Sequence, residues 1–302
     1  MALTKLNVAT AAAFAVNFGV TYLSMTGIFG KTNSEVSKLY QSLSTPIGWT
    51  FAIWGIIFLL ETAYTVAQLA VPSFRESAEL KASAPWFIAT CLLQAVWSVA
   101  FAAERIYLSL GLIIGITLTL WRINVRLRAV KINSTTTSWT RYLLFHLPMS
   151  IHFGWLTAAS IVAVNLTLVF TRPHAHATLL CAAVVSLTAA FIPALIDPAT
   201  GRVGSDPAYA LTIGWALAGV AAQNASPLRE APAADPIQVW CPPLVTDALS
   251  AVAATLSAAV VLTTLLRLFA RACARAPCSW AGEIGSPILH AGLVVMEPGA
   301  KP

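Results

Sequence analysis

Charged residues are what this sequence has least of. They fill 10% of its 302 positions, against roughly 25% in soluble domains. With 58% hydrophobic residues and a mean hydropathy of +0.75, that scarcity excludes a water-facing globular fold and makes this an integral membrane protein. Catalytic signatures are also missing: there is no P-loop, Gly-x-Ser-x-Gly, zincin or dinucleotide-binding fingerprint. Cysteine is sparse and scattered. Cys91 and Cys181 fall in apolar runs, Cys241 stands alone, and Cys273 and Cys278 follow the last run, so no disulfide framework is suggested. The last two, beside three arginines, are candidates for palmitoylation, with plain unmodified thiols as the simpler reading.

What the sequence has instead is long apolar runs. A spanning helix needs about 20 predominantly apolar residues, and eight segments qualify: 7–29, 47–70, 86–103, 106–125, 143–170, 177–196, 207–223 and 245–270. They are too long and continuous for barrel strands, and backbone groups in hydrocarbon must bond within their own segment. The expected fold is an all-α polytopic bundle of eight spans, with short loops that pack sequential helices antiparallel. The expected organisation is one transmembrane domain over 1–276, an exposed excursion at 225–243, and a loosely ordered tail over 277–302. The N-terminal run, preceded by Lys5, reads as an uncleaved signal anchor.

The formal net charge is +6, but its distribution argues for topology and against nucleic acid as a partner. With eight spans, thirteen basic residues, including Arg122, Arg126, Arg128, Arg141, Arg267, Arg271 and Arg275, share the side of the termini. Five, namely Lys31, Lys38, Arg105, Arg172 and Arg229, lie opposite. The positive-inside asymmetry places both termini on the cytosolic side, with the lipid bilayer and its anionic headgroups as the partners of the basic clusters. Of two Asn-x-Ser/Thr sequons, Asn133 falls on the cytosolic side and Asn224 on the far side.

Residues three, four and seven apart share a helix face. The second span thereby aligns Phe51, Trp54, Phe58, Glu61, Thr65 and Gln68. The first aligns Asn17, Thr21 and Ser24, the third Thr90, Gln94, Trp97 and Phe101, and the fifth Pro148, His152, Trp155 and Ala159. Each stripe mixes aromatic and hydrogen-bonding groups. Converging, they would wall an aromatic pocket with a few polar anchors, suited to a flat apolar ligand. The alternative is that the polar members only bond between helices, while Trp49 and Trp86, near span ends, anchor at headgroups. Glu61 stands apart, because an ionised carboxylate near the bilayer centre must face protein, water or ligand.

The order Tyr22-Leu-Ser, Gly30-Lys31-Thr32, Ser37, Thr45-Pro46, Trp49-Thr-Phe51-Ala-Ile-Trp54-Gly resembles the long, eight-helix members of the TspO/MBR family, the tryptophan-rich sensory or translocator proteins. Gln94-Ala-Val-Trp97-Ser98-Val-Ala-Phe101 is similar to that family's third helix, and Leu147-Pro148, Trp155-Leu-Thr-Ala-Ala159 and Asn165 to its fifth. Ala208-Tyr209-Ala210-Leu and Trp215-Ala-Leu-Ala-Gly219 resemble only the long branch. Gln94 stands where the family has asparagine, and Trp155 and Asn165 are shifted in spacing from Pro148. The resemblance implies a five-helix core over 1–171, three additional helices over 172–276, and binding of tetrapyrroles or sterols for transport, sensing or turnover.

Covalent chemistry has little support. His174 and His176 lack nearby partner ligands for a metal, and His146 and His152 do not share a helix face. Asp247 is expected to complement the dipole at the start of the last helix. The reading is therefore a non-enzymatic membrane protein with no required cofactor. Its ligand wall is Phe51, Trp54, Phe58, Gln94, Trp97, Phe101, His152 and Trp155, with Glu61 as buried polar anchor, around a hydrophobic small molecule such as a tetrapyrrole or sterol. Two rivals remain: a proton-linked small-solute transporter, and a structural subunit with homodimer or membrane-complex partners.

Overall fold

A computed structural model describes residues 2–133, 139–171, 176–196, 206–226 and 243–275. Their regular elements are helices: α1 (Lys5–Ser24), α2 (Asn33–Leu39), a 3-10 turn (Gly48–Ala52) leading into α3 (Ile53–Ala70), α4 (Ala78–Ala102) and α5 (Ile106–Asn133). A turn of helix, α6 (Trp139–Arg141), passes through a π-helical turn at Tyr142–His146 into α7 (Leu147–Thr171). α8 (His176–Leu195), α9 (Pro207–Asn224) and α10 (Pro243–Arg275) follow.

Local chemistry explains the starts. Thr4 and Asn7 form a reciprocal capping box at α1, and Ser77 accepts from Leu80 N to start α4, each satisfying backbone donors that a helix start leaves unpaired. α4 therefore begins eight residues before the apolar run expected from Trp86 and carries Pro85 inside it. Its first turns are more polar than the run that follows, and there Glu79 pairs with Arg141 at 2.7 Å. α5 likewise runs on to Asn133 through Arg126 and Arg128. α2 is an element that hydropathy alone cannot find, since it lies outside the apolar runs. Its signal is the capping box of Thr32 and Glu35.

Among the described residues, seven helical segments are long and apolar enough to cross a membrane. The seventh expected span, α9, is present as an 18-residue helix but is not among them. The physical reason is its position. Tyr209, Thr212, Gly214, Gly219 and Asn224 are all buried, and α9 packs against α7, α8 and α10. A helix surrounded by other helices meets protein instead of lipid and tolerates small and polar residues.

Neighbours in sequence pack as neighbours in space: α1 on α3 and α4, α4 on α5, α5 on α7, and α9 on α10. The long-range contact of α3 with α7 closes the first five spans into a ring. Asn7 Nδ2 donates to Gln68 Oε1 at 2.6 Å, tying α1 to α3. Asn165 Nδ2 donates to Ser186 Oγ at 2.6 Å, tying α7 to α8. Gly154 lets α7 approach α9 closely, because a Cβ there would sit 2.9 Å from Thr212 Cβ and from Tyr209 O.

One sequence expectation is corrected here. Asp247 does not sit in the first turn of α10, which starts at Pro243. The carboxylate that caps a late helix is Asp206, accepting from Ala208 N at 3.0 Å. Asn224, of the second sequon, is buried and donates to Leu43 O at 3.0 Å and Val220 O at 2.9 Å. His174, Cys278 and the tail lie outside the described residues, as do the side chains of Asn133 and His176.

Candidate functional site

The four polar-aromatic stripes all face inward. Thr90, Gln94, Trp97 and Phe101 on α4 are buried, as are Phe58, Glu61, Thr65 and Gln68 on α3 and His152 and Trp155 on α7. Part of them borders a partly open cavity between α4, α5 and α7, whose empty space with the adjoining solvent is about 1080 Å³. Phe51, Trp54, Gln94, Trp97, Phe101 and Trp155 line it. The aromatic groups hold one another in place: Trp97 stacks on Phe101 at 5.1 Å between centroids, and Phe51 meets Trp155 edge-on at 5.7 Å.

Phe58, Glu61 and His152 are not among the lining residues. Phe58 stacks behind Trp54 at 5.9 Å and continues an aromatic row to Phe14, Phe18 and Tyr22 on α1. Glu61 and His152, fully buried, face each other with Oε1 and Nδ1 2.7 Å apart. The ring of His152 lies edge-on to Trp54 at 5.7 Å. The pair therefore sits directly behind the cavity wall.

The wall is largely apolar, but five of its buried polar atoms have no hydrogen-bond partner: both amide atoms of Gln94, Nε1 of Trp155, and the hydroxyls of Ser44 and Ser109. Each such group costs about 1–3 kcal/mol unless an occupant bonds it. They comprise a carbonyl acceptor, three N–H donors and two hydroxyls.

Sequence reasoning missed much of the wall. α5 contributes Ser109 and Ile113, α8 contributes Ser186, Leu187 and Ala190, and α9 contributes Ala216, Leu217 and Val220. The cavity thus reaches from the five-helix ring into the additional helices. α9 also holds the entrance to α3 in place. Ile47 N donates to Gly219 O and Trp215 Nε1 to Thr50 O, both at 3.0 Å, and Trp49 packs edge-on to Trp215 at 4.6 Å. Trp49 is therefore half in a protein contact, while Trp86 packs under Arg122, 5.8 Å from its ring.

Asn33, Ser37, Ser44 and Pro46 bring the α1–α3 connection over one end of the cavity. Lys31 N donates to Ala102 O at 2.9 Å. Gly30 makes this possible, with φ +133° and space only for hydrogen, since a Cβ would meet Ala102 O at 2.4 Å. Glu104, itself at φ +55°, receives Lys31 Nζ and the Tyr40 hydroxyl. The Lys31 bond, followed by Tyr40, holds the Glu104 carboxyl below the usual carboxylate range against the opposing effect of partial burial. Glu35 is also lowered, chiefly by its capping bonds to Thr32. Among the described residues no group of three or more His, Cys, Asp or Glu is placed to hold a metal.

Fold and site together define a polytopic helical membrane protein with an aromatic-walled internal cavity. The family described as TSPO-like protein matches residues 7–268, nearly the whole bundle including the additional helices. The chain belongs to that family. Comparison with curated proteins and with solved structures gives no match.

Proposed function

We infer that this TSPO-like protein binds a flat hydrophobic ligand of the tetrapyrrole or sterol type inside the cavity, and passes or senses it from there. The observation that carries the reading is the conjunction of an apolar-aromatic cavity with unpartnered polar atoms on Gln94, Trp155, Ser44 and Ser109. Aromatic faces supply area for a planar ring system, and the polar atoms supply orientation. A purely structural subunit would bury all of its stripes against each other, whereas Phe51, Trp54, Gln94, Trp97, Phe101 and Trp155 border open space. In this reading the chain acts by binding and not by covalent chemistry, and both termini lie on the cytosolic side.

The test is tryptophan-fluorescence quenching of the purified full chain by protoporphyrin and, separately, by a sterol analogue. Trp54→Leu and Trp97→Leu serve as variants, each first checked for folding. Saturable micromolar binding that weakens in both variants is expected. Quenching that never saturates, or is identical in wild type and variants, is detergent partitioning and removes the reading.

A further inference from the structure

The buried pair behind Trp54 has no part in lining the cavity, yet its chemistry is specific. Glu61 and His152 have no solvent exposure and lie 2.7 Å apart. Their outer atoms, Glu61 Oε2 and His152 Nε2, have no hydrogen-bond partner among the described residues. A carboxylate beside a neutral imidazole would leave one uncompensated negative charge inside the bundle, which a low-dielectric surrounding strongly disfavours. One added proton makes the pair neutral overall, either as carboxylate with imidazolium or as carboxylic acid with imidazole. The two groups share that proton, so it belongs to the pair.

We propose that Glu61 and His152 form a one-proton site whose occupancy is linked to that of the cavity through Trp54. The link is geometric: Trp54 touches the imidazole on one side and lines the cavity on the other. The titratable groups around the pair are few. Tyr64 on α3 and Cys91 on α4 are both buried. α1 brings Asn17, which is buried and not titratable. His146, two helical turns back along the helix of His152, stacks on Tyr142. An apolar occupant displaces polarisable surroundings from the far side of Trp54, so it further disfavours the unprotonated, charged pair. Binding therefore favours the protonated pair, and by reciprocity the protonated pair favours binding. Affinity should be highest where the pair holds its proton and fall where that proton is lost. This link rests on the cavity being the binding site, whereas the proton site does not.

The experiment has two arms on the full chain in nanodiscs. Infrared difference spectra across pH, without ligand, follow the pair directly. The expected result is a titrating carboxyl or imidazole signal that is lost in Glu61→Gln and altered in His152→Gln, with thermal melting as the folding check. Its absence from folded wild type overturns the proton site. The second arm measures the Kd of a non-titrating sterol analogue against pH. Wild type should weaken by up to tenfold per pH unit across the pair's titration, and Glu61→Gln should be flat. Equal slopes in the two proteins overturn the link. No saturable binding by either protein overturns the link together with the cavity reading, and a Glu61 signal that still titrates then upholds the proton site alone.

Discussion

Replacing Gly219 by alanine tests how the additional helices build the cavity. A Cβ at that position would stand 2.2 Å from Thr50 Cγ2 and 3.1 Å from Pro46 Cβ. Ordinary contact begins at 3.4 Å, so α9 and the 3-10 turn must part by about 1.2 Å. Thr50 cannot easily rotate away, because its hydroxyl donates to Ile47 O and its carbonyl accepts from Trp215 Nε1. Overpacking of this kind costs about 1–3 kcal/mol. The displaced turn carries Phe51 and leads straight into Trp54, so the cavity wall moves with it. Thermal unfolding in detergent should show the loss of stability, and fluorescence quenching by protoporphyrin should show weaker binding. Adding Thr50→Ser, which removes the clashing methyl, should recover most of both, with a coupling energy of about 0.5–3 kcal/mol in the double-mutant cycle. An unchanged melting temperature and Kd in Gly219→Ala would refute the claim that α9 sets the wall.

Gln94→Leu removes two unpartnered buried amide atoms, so thermal unfolding should show unchanged or higher stability, while affinity for protoporphyrin or sterol falls by roughly tenfold, about 1.4 kcal/mol. Glu104→Gln weakens the bonds to Lys31 and Tyr40 and should cost about 0.2–1 kcal/mol in low salt, less in high salt. Because the folded carboxyl titrates below its usual range, that contribution is complete above the range and disappears as pH falls through the folded pKa. Melting temperatures of the wild type and Glu104→Gln should therefore converge in acid. Asn7→Leu strands Gln68, whose amide bonds both the side chain and the backbone of Asn7, and should destabilise the bundle by about 1–3 kcal/mol in the same assay.

The helices were legible in the sequence because lipid imposes a simple demand, a long apolar run. The faces were legible because Trp54, Glu61, Gln94, Trp97 and Trp155 interrupt such runs at helical spacing. Hydropathy reports apolar runs alone, so the polar first turns of α4 and the polar end of α5 were not anticipated. It also misjudges α9, whose neighbours are protein. Glu61 and His152 were each singled out, but their pairing depends on how α3 meets α7. No one-dimensional pattern records that contact. The contributions of Ser186, Leu187, Ala216 and Val220 to the cavity were missed for the same reason, since small apolar residues look alike whether they face lipid, a helix or a ligand.

The central claim is that the ligand sits inside the bundle. Photolabelling with a photoreactive sterol analogue, competed with excess unlabelled sterol and separately with protoporphyrin, and mapped by peptide mass, tests it most directly. The account predicts saturable, competed adducts on cavity residues of α4 and α7, near Gln94, Trp97 and Trp155, reaching Leu187 on α8. Adducts that are not competed and fall on the exposed apolar residues of α10, such as Leu262, Leu265 and Phe269, would mean that the sterol only coats the lipid-facing surface, and would contradict it.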